Sequence, residues 1–174
     1  MPTTGGTKGS ALLALICALG SSPDLVAAAS GTARLTLQSD GPELQADLDA
    51  PALALVGFAR RPRGTVERET LDLATENLQI GDAMLRLPAE AACRLEQTRV
   101  DADPAPGKDE TDGRLGASYR FHCDHPESLD SAAVGVFSGF PFLARIHLSY
   151  RIGTIRGEAI LTPSNPVVQF IPLQ

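Results

Sequence analysis

The segment from Thr32 to Asp49, TARLTLQSDGPELQADLD, decides the fold because it alternates apolar and polar residues on both sides of one turn. Alternation with a period of two is typical of a strand that is buried on one face only. The inward positions are Ala33, Leu35, Leu37, Leu44, Ala46 and Leu48. Asp40-Gly41-Pro42 is a turn-forming sequence, so the segment predicts two antiparallel strands joined as a hairpin.

A second pair of alternating segments follows, at residues 93–101 (CRLEQTRVD) and 115–123 (LGASYRFHC). Cys93 begins the first segment and Cys123 ends the second, and these two ends meet in an antiparallel pair, so we expect a disulfide between them. Closing a loop of about 30 residues would stabilise the fold by roughly 3.5 kcal/mol. A redox or metal pair is the alternative, but such pairs usually have the C-x-x-C spacing, which the sequence lacks. The segments flank an acidic loop rich in Pro and Gly, from Asp101 to Gly113.

The rest of the chain predicts one main helix and further strands. Thr65 begins a helical pattern that runs to about Asn77, with Val66, Leu73 or Ala74, and Leu78 as its inward stripe. Alternating segments recur at residues 144–152 and 154–161, and a last short strand is expected at 167–171. These elements predict an α+β fold, a mostly antiparallel sheet with one main helix packed on it, as a single domain over residues 30–174.

Residues 1–29 have the three parts of a secretory signal peptide. A polar start is followed by an apolar run of ten residues from Ala11 to Gly20, and Ala29-Ser30 is a small-residue cleavage site. The run is too short for a membrane anchor, which needs about 20 apolar residues. A lipoprotein signal is disfavoured because Cys17 follows Ile16, where a small residue is required. We therefore expect an exported protein without a membrane span after cleavage.

The net charge and the missing catalytic motifs argue against several classes of function. The formal net charge of −6 is opposite to the basic footprint that nucleic-acid binding needs. The sequence contains no Gly-x-Ser-x-Gly, Walker or dinucleotide motif and no His-Glu-x-x-His pair, so we expect no enzymatic activity. The basic stretch from Arg60 to Gly64 predicts a solvated turn, with anion or partner binding as the alternative.

One group of residues suggests metal chemistry. His122, Asp124 and His125 are close together where the second strand of the cysteine pair ends. Two imidazoles and a carboxylate can supply three ligands to zinc, and water or another residue would supply the fourth. The alternative is that the three are exposed polar residues of a strand and a turn.

Several stretches together resemble a known family. They are Leu55-Val56-Gly57-Phe58 before Pro62, Leu87-Pro88 before Cys93-Arg94-Leu95, Tyr119-Arg120-Phe121 before Cys123, and Leu161-Thr162-Pro163. In this order and spacing, over about residues 31–171, they resemble the ZrgA-like family of bacterial periplasmic proteins, a domain-of-unknown-function family linked to zinc uptake. The resemblance implies a periplasmic location, zinc as the possible bound metal, and a zinc importer or another envelope protein as the partner.

The chain departs from this family at positions where members typically carry histidines. The segment after the signal is Ala29-Ser30-Gly31-Thr32-Ala33, the Gly-Phe motif is followed by Ala59-Arg60-Arg61, and the loop from Asp101 to Gly113 keeps acidic residues without a histidine. The resemblance therefore implies the scaffold more strongly than the metal ligands. A relative that keeps the fold but binds a protein or another ligand, and no zinc, is the second hypothesis.

Overall fold

The computed structural model describes residue 1, residues 31–102 and residues 113–170. Within them the helices are α1 (Ala52–Val56), α2 (Thr65–Gln79), α3 (Gly81–Met84) and α4 (Val136–Gly139), with 3-10 turns at Ala89–Ala91 and Pro126–Ser128. The strands are β1 (Thr32–Asp40), β2 (Glu43–Pro51), β3 (Leu85–Arg86), β4 (Cys93–Asp101), β5 (Arg114–Cys123), β6 (Ser131–Val134), β7 (Arg145–Ile152), β8 (Ile155–Leu161) and β9 (Val167–Gln169). The predicted α+β class, with one main helix, is confirmed.

Six strands form the main sheet in the order β4-β5-β2-β1-β7-β8, and β3-β6-β9 form a smaller sheet. The predicted hairpin is present, with Leu35 opposite Leu48 in antiparallel register. β4 and β5 pair antiparallel as well, with a bulge at Glu96. The one parallel contact of the main sheet joins β1 to β7, where Leu35 lies beside Leu148. The sheet is therefore mostly antiparallel, as the sequence predicts.

The inner face of the main sheet carries the core. Alternate residues of β1, β2 and β5 are almost fully buried, as the alternating patterns predict. The smaller sheet packs against this face, because Leu85 and Val134 line one small cavity together with Leu35 and Leu48. The main helix is tied to the same face, since the buried Tyr119 hydroxyl donates a hydrogen bond to the Leu78 carbonyl over 2.7 Å. Burial raises the pKa of Tyr119.

The start of α2 is held by one carboxylate. The Arg60 guanidinium donates hydrogen bonds of 2.7 and 2.8 Å to Glu67, and the backbone N–H of Arg63 donates a third. The Arg60 bond, followed by the Arg63 bond, lowers the pKa of Glu67 from 4.5 to about 2. Arg60 therefore helps to organise the entry into the helix, which goes beyond the solvated turn that the sequence predicts.

The predicted inward stripe of α2 is partly wrong. Ala74 and Leu78 are buried, but Val66 is 75% exposed and Leu73 is 61% exposed. The fully buried residues of the helix lie in its second half, and Leu71 packs against the core from the end of the second turn. The apolar segment after β2 forms the short helix α1, in which Ala52, Ala54, Leu55 and Val56 are buried.

The predicted signal peptide, its cleavage site at Ala29 and Ser30, and most of the acidic loop between Asp101 and Gly113 lie outside the described residues. In the described part of the chain, no helix is both long enough and apolar enough to cross a membrane.

Candidate functional site

The three residues predicted to bind zinc lie at one corner of the main sheet. His122 is on the outer face of β5, directly opposite Glu43 of β2 on one side and Arg94 of β4 on the other. Asp124 and His125 follow in the turn after the strand. The strand pairing therefore places one imidazole between an acidic and a basic side chain.

Both ring nitrogens of His122 face carboxylates. Nδ1 lies 3.0 Å from Oε1 of Glu43, and Nε2 lies 3.9 Å from Oδ1 of Asp124. The His122 side chain is 32% exposed, so this arrangement remains open to solvent on one side. The imidazole is thus positioned by contacts with two strands and the following turn.

The Asp124 carboxylate is held by an arginine. Nη1 of Arg94 donates a hydrogen bond of 2.5 Å to Oδ2 of Asp124. This bond is the main reason that the pKa of Asp124 is lowered, and the nearby His122 and His125 act in the same direction. The same contact raises the pKa of Arg94. Asp124 is therefore a stable carboxylate with one oxygen already engaged.

His125 faces a different carboxylate. Its Nδ1 is 3.6 Å from Oε1 of Glu127, and its side chain is 61% exposed. The structure thus brings His122 and Asp124 together and pairs His125 with a different carboxylate.

A closed structural zinc site needs four donors at about 2.0–2.3 Å around a single point. Among residues 31–102 and 113–170, no group of three or more His, Cys, Asp or Glu side chains is arranged to hold a metal ion. The described residues do not fit a resident zinc centre, because no three of these donor side chains converge on one point. Zinc binding by His122, Asp124 and His125 stays a prediction.

The predicted disulfide between Cys93 and Cys123 is present beside this corner. The two cysteines are directly opposite in the β4–β5 register, and Arg94 and His122 form the next pair along the strands. The backbone N–H of His125 donates to the carbonyl of Ala91, which binds the following turn to the chain before β4. The bridge and this hydrogen bond fix the two strand ends on which the corner is built.

The outer face of the main sheet is a second candidate surface, which the sequence analysis did not identify. Eight arginine side chains lie on it: Arg34, Arg94, Arg99, Arg114, Arg120, Arg145, Arg151 and Arg156. Alternation marks the arginines of the other strands, and Arg94, as outward. It places Arg99 on the side of Cys93 and Leu95, and the bulge at Glu96 turns Arg99 outward. Their grouping depends on the strand order, which local patterns do not specify.

The fold and the corner can now be compared with known proteins. The sequence model of the ZrgA family zinc uptake protein matches residues 27–170, which includes both strands of the disulfide pair and the whole main sheet. No curated protein matches the sequence. The matched region covers most of the chain, and it contains the elements on which the resemblance rests. The chain therefore belongs to the ZrgA family of zinc uptake proteins.

Proposed function

We propose that this chain is an exported, non-catalytic protein that assists zinc uptake in the periplasm through contact with an envelope partner, such as a zinc importer. The observation that carries the proposal is the family match over residues 27–170. The Cys93–Cys123 disulfide supports the location, because such bridges persist in oxidising compartments like the periplasm and are rare in the cytosol.

In this proposal zinc is cargo that makes brief contact with the corner at the end of β5. His122 and Asp124 supply an imidazole and a carboxylate, both common zinc donors, within 3.9 Å of each other. His125 is close in sequence and mostly exposed, so it is available to a passing ion. Arg94 and Glu43 of the same chain already contact these donor atoms. The affinity for zinc is therefore expected to be lower than that of a closed four-ligand site.

A growth experiment tests the role in uptake. A strain that lacks the gene should grow poorly in medium with a zinc chelator, and either the full-length chain or added zinc should restore growth. Medium depleted of iron is the control, and there the deletion should have no effect. Equal growth of the two strains under zinc limitation would contradict the proposed role.

Calorimetry tests the contact with zinc. The exported protein, stripped of metal, should release or absorb heat when titrated with micromolar zinc. The combined change His122→Ala with His125→Ala should abolish that signal. The matched control is His147→Ala, which removes a histidine on the outer face of β7. A signal that survives the double change would exclude this corner as the zinc contact.

A second candidate function is a binding module of the envelope that handles no zinc itself. The contacts of Asp124 with Arg94 and of His122 with Glu43 favour it, because they engage the donor atoms inside the protein. A wild-type protein that gives no heat with zinc, in a strain that still needs the gene under zinc limitation, would support this second function. A missing growth phenotype under zinc limitation would refute the first function, whereas heat from zinc binding to the wild-type protein would refute this second one.

A further inference from the structure

Six outward side chains line up in one row that crosses every strand of the main sheet. The pairing register places them side by side in the order Gln97, Arg120, Gln45, Gln38, Arg151 and Arg156. We call this set the Gln–Arg row. It contains three arginines and three glutamines and no acidic residue, although the whole chain has a net charge of −6.

The arginines of this row differ from others on the same face. Arg114 forms a two-point ion pair with Asp49, and Arg94 pairs with Asp124. Arg151 instead donates a hydrogen bond of 3.3 Å to the Gln38 amide oxygen, which is another member of the row. Among the described residues no ion pair joins a row arginine to a carboxylate, although Asp40 and Glu43 line the same depression as Arg120 and Arg151.

Arg151 and Arg156 are also directly opposite each other on β7 and β8. Like charges in opposing cross-strand positions destabilise a sheet. No contact among the described residues offsets the repulsion between these two side chains. A negatively charged ligand bound over both of them would offset it.

The surface along the row is shallow and open. A depression of about 330 Å³ lies between Arg120 and Arg151, with Gln38 and Gln45 among its lining residues. A second depression of about 120 Å³ lies on the other side of Arg120, beside Gln97. Small-molecule sites usually bury most of their ligand, whereas an open track suits an extended chain. Asp40 and Glu43 also line the larger depression. Their carboxylates would repel an acidic ligand that moved away from the row towards them.

We propose that the Gln–Arg row binds an extended, acidic polypeptide segment of a partner protein, which lies across the strands. The row crosses five strand spacings, or about 24 Å, which matches about seven extended residues. Arginine forks pair well with carboxylates, and glutamine carboxamides both donate to and accept from peptide groups. A phosphate polymer has no N–H groups to satisfy the glutamine oxygens. The inference rests on the proposed function, in that it specifies the surface used for partner contact.

Fluorescence anisotropy with a labelled oligoglutamate of about eight residues tests the proposal on the exported protein. The row variant carries Arg120→Gln and Arg151→Gln. The control variant removes the same charge from exposed positions elsewhere and carries Arg68→Gln and Arg86→Gln. We expect the row variant to bind about tenfold more weakly or worse, while the control matches the wild type. Binding should weaken at high ionic strength.

Three outcomes would overturn the proposal. They are no binding of oligoglutamate to the wild type, equal weakening in both variants, and binding of inorganic polyphosphate in place of oligoglutamate. Circular dichroism confirms that the variants are folded, which is expected because the exchanged side chains are on the surface. The growth test under zinc limitation is independent of this assay, so failure of the row does not count as failure of the proposed function.

Discussion

Loss of the Cys93–Cys123 bridge should destabilise the domain by an amount that its position in the chain predicts. The two cysteines are 30 residues apart. The chain-entropy model assigns about 3.5 kcal/mol to a closed loop of that length. With a urea dependence of about 2 kcal/mol per molar, the midpoint of unfolding should fall by about 1.8 M. The loss arises in the unfolded chain, which gains conformational freedom when the bridge is absent.

Urea unfolding of the exported protein, with and without a reducing agent, measures this effect. Cys93→Ala should reproduce the reduced wild type, because Cys93 is only partly buried. Cys123→Ala should cost about 1 kcal/mol more, since Cys123 is completely buried and the shorter side chain leaves a gap in the core. The comparison separates the covalent link from the packing of the buried sulfur.

An unchanged midpoint under reducing conditions would refute this reasoning. So would mass spectrometry after alkylation if it found two free thiols in the exported protein, because the bridge would then be absent where the protein works. A Cys93→Ala variant that lost more stability than Cys123→Ala would contradict the assigned burial.

Four further predictions test other parts of the structure. Tyr119→Phe should lower the free energy of unfolding by about 1–2 kcal/mol, because a buried carbonyl of α2 loses its donor; urea unfolding measures this. Leu78→Ala should lower the free energy of unfolding by about 3 kcal/mol, and Leu73→Ala should lower it by less than about 0.5 kcal/mol. A larger loss for Leu73→Ala would show that the helix packs on its other face. Arg156→Gln should raise the free energy of unfolding by about 0.3 kcal/mol by removing a like-charge pair, so a measurable loss would contradict the assigned register. Because the pKa of Glu67 is lowered from 4.5 to about 2, its ionised form stabilises the fold above pH 4.5, and that contribution disappears as the pH falls to about 2. The stability difference between the wild type and Glu67→Gln should therefore shrink across this interval in unfolding experiments at a series of pH values.

Local patterns predicted the elements that depend on neighbouring residues. The hairpin from Thr32 to Asp49 and the disulfide pair follow from alternation and from turn chemistry, which act over a few residues. The parallel contact between β1 and β7 joins Leu35 to Leu148, more than a hundred residues away, and no local pattern encodes it. The exposure of Val66 has the same origin, because the partner surface of a helix is a tertiary property that periodicity alone does not specify.

The two candidate sites differ in how far the sequence could predict them. His122, Asp124 and His125 were predicted as a site because they are close in sequence. In the structure His122 faces Asp124, whereas the Nδ1 atom of His125 faces Glu127. The Gln–Arg row has the opposite character. Its six members come from six strands, and they become neighbours only through the order of those strands in the sheet.

The two faces of the main sheet tolerate substitution to different extents. The inner residues form the core, and their replacement by smaller side chains typically costs several kcal/mol. Substitution of an outward polar residue that makes no specific contact usually changes the free energy of unfolding by no more than about 0.5 kcal/mol. Exchange of one outward polar side chain therefore changes the stability of the fold little, although it can change the ligand that the surface binds. For this reason family membership identifies the fold of this chain, and its binding properties must be tested at the outward residues themselves.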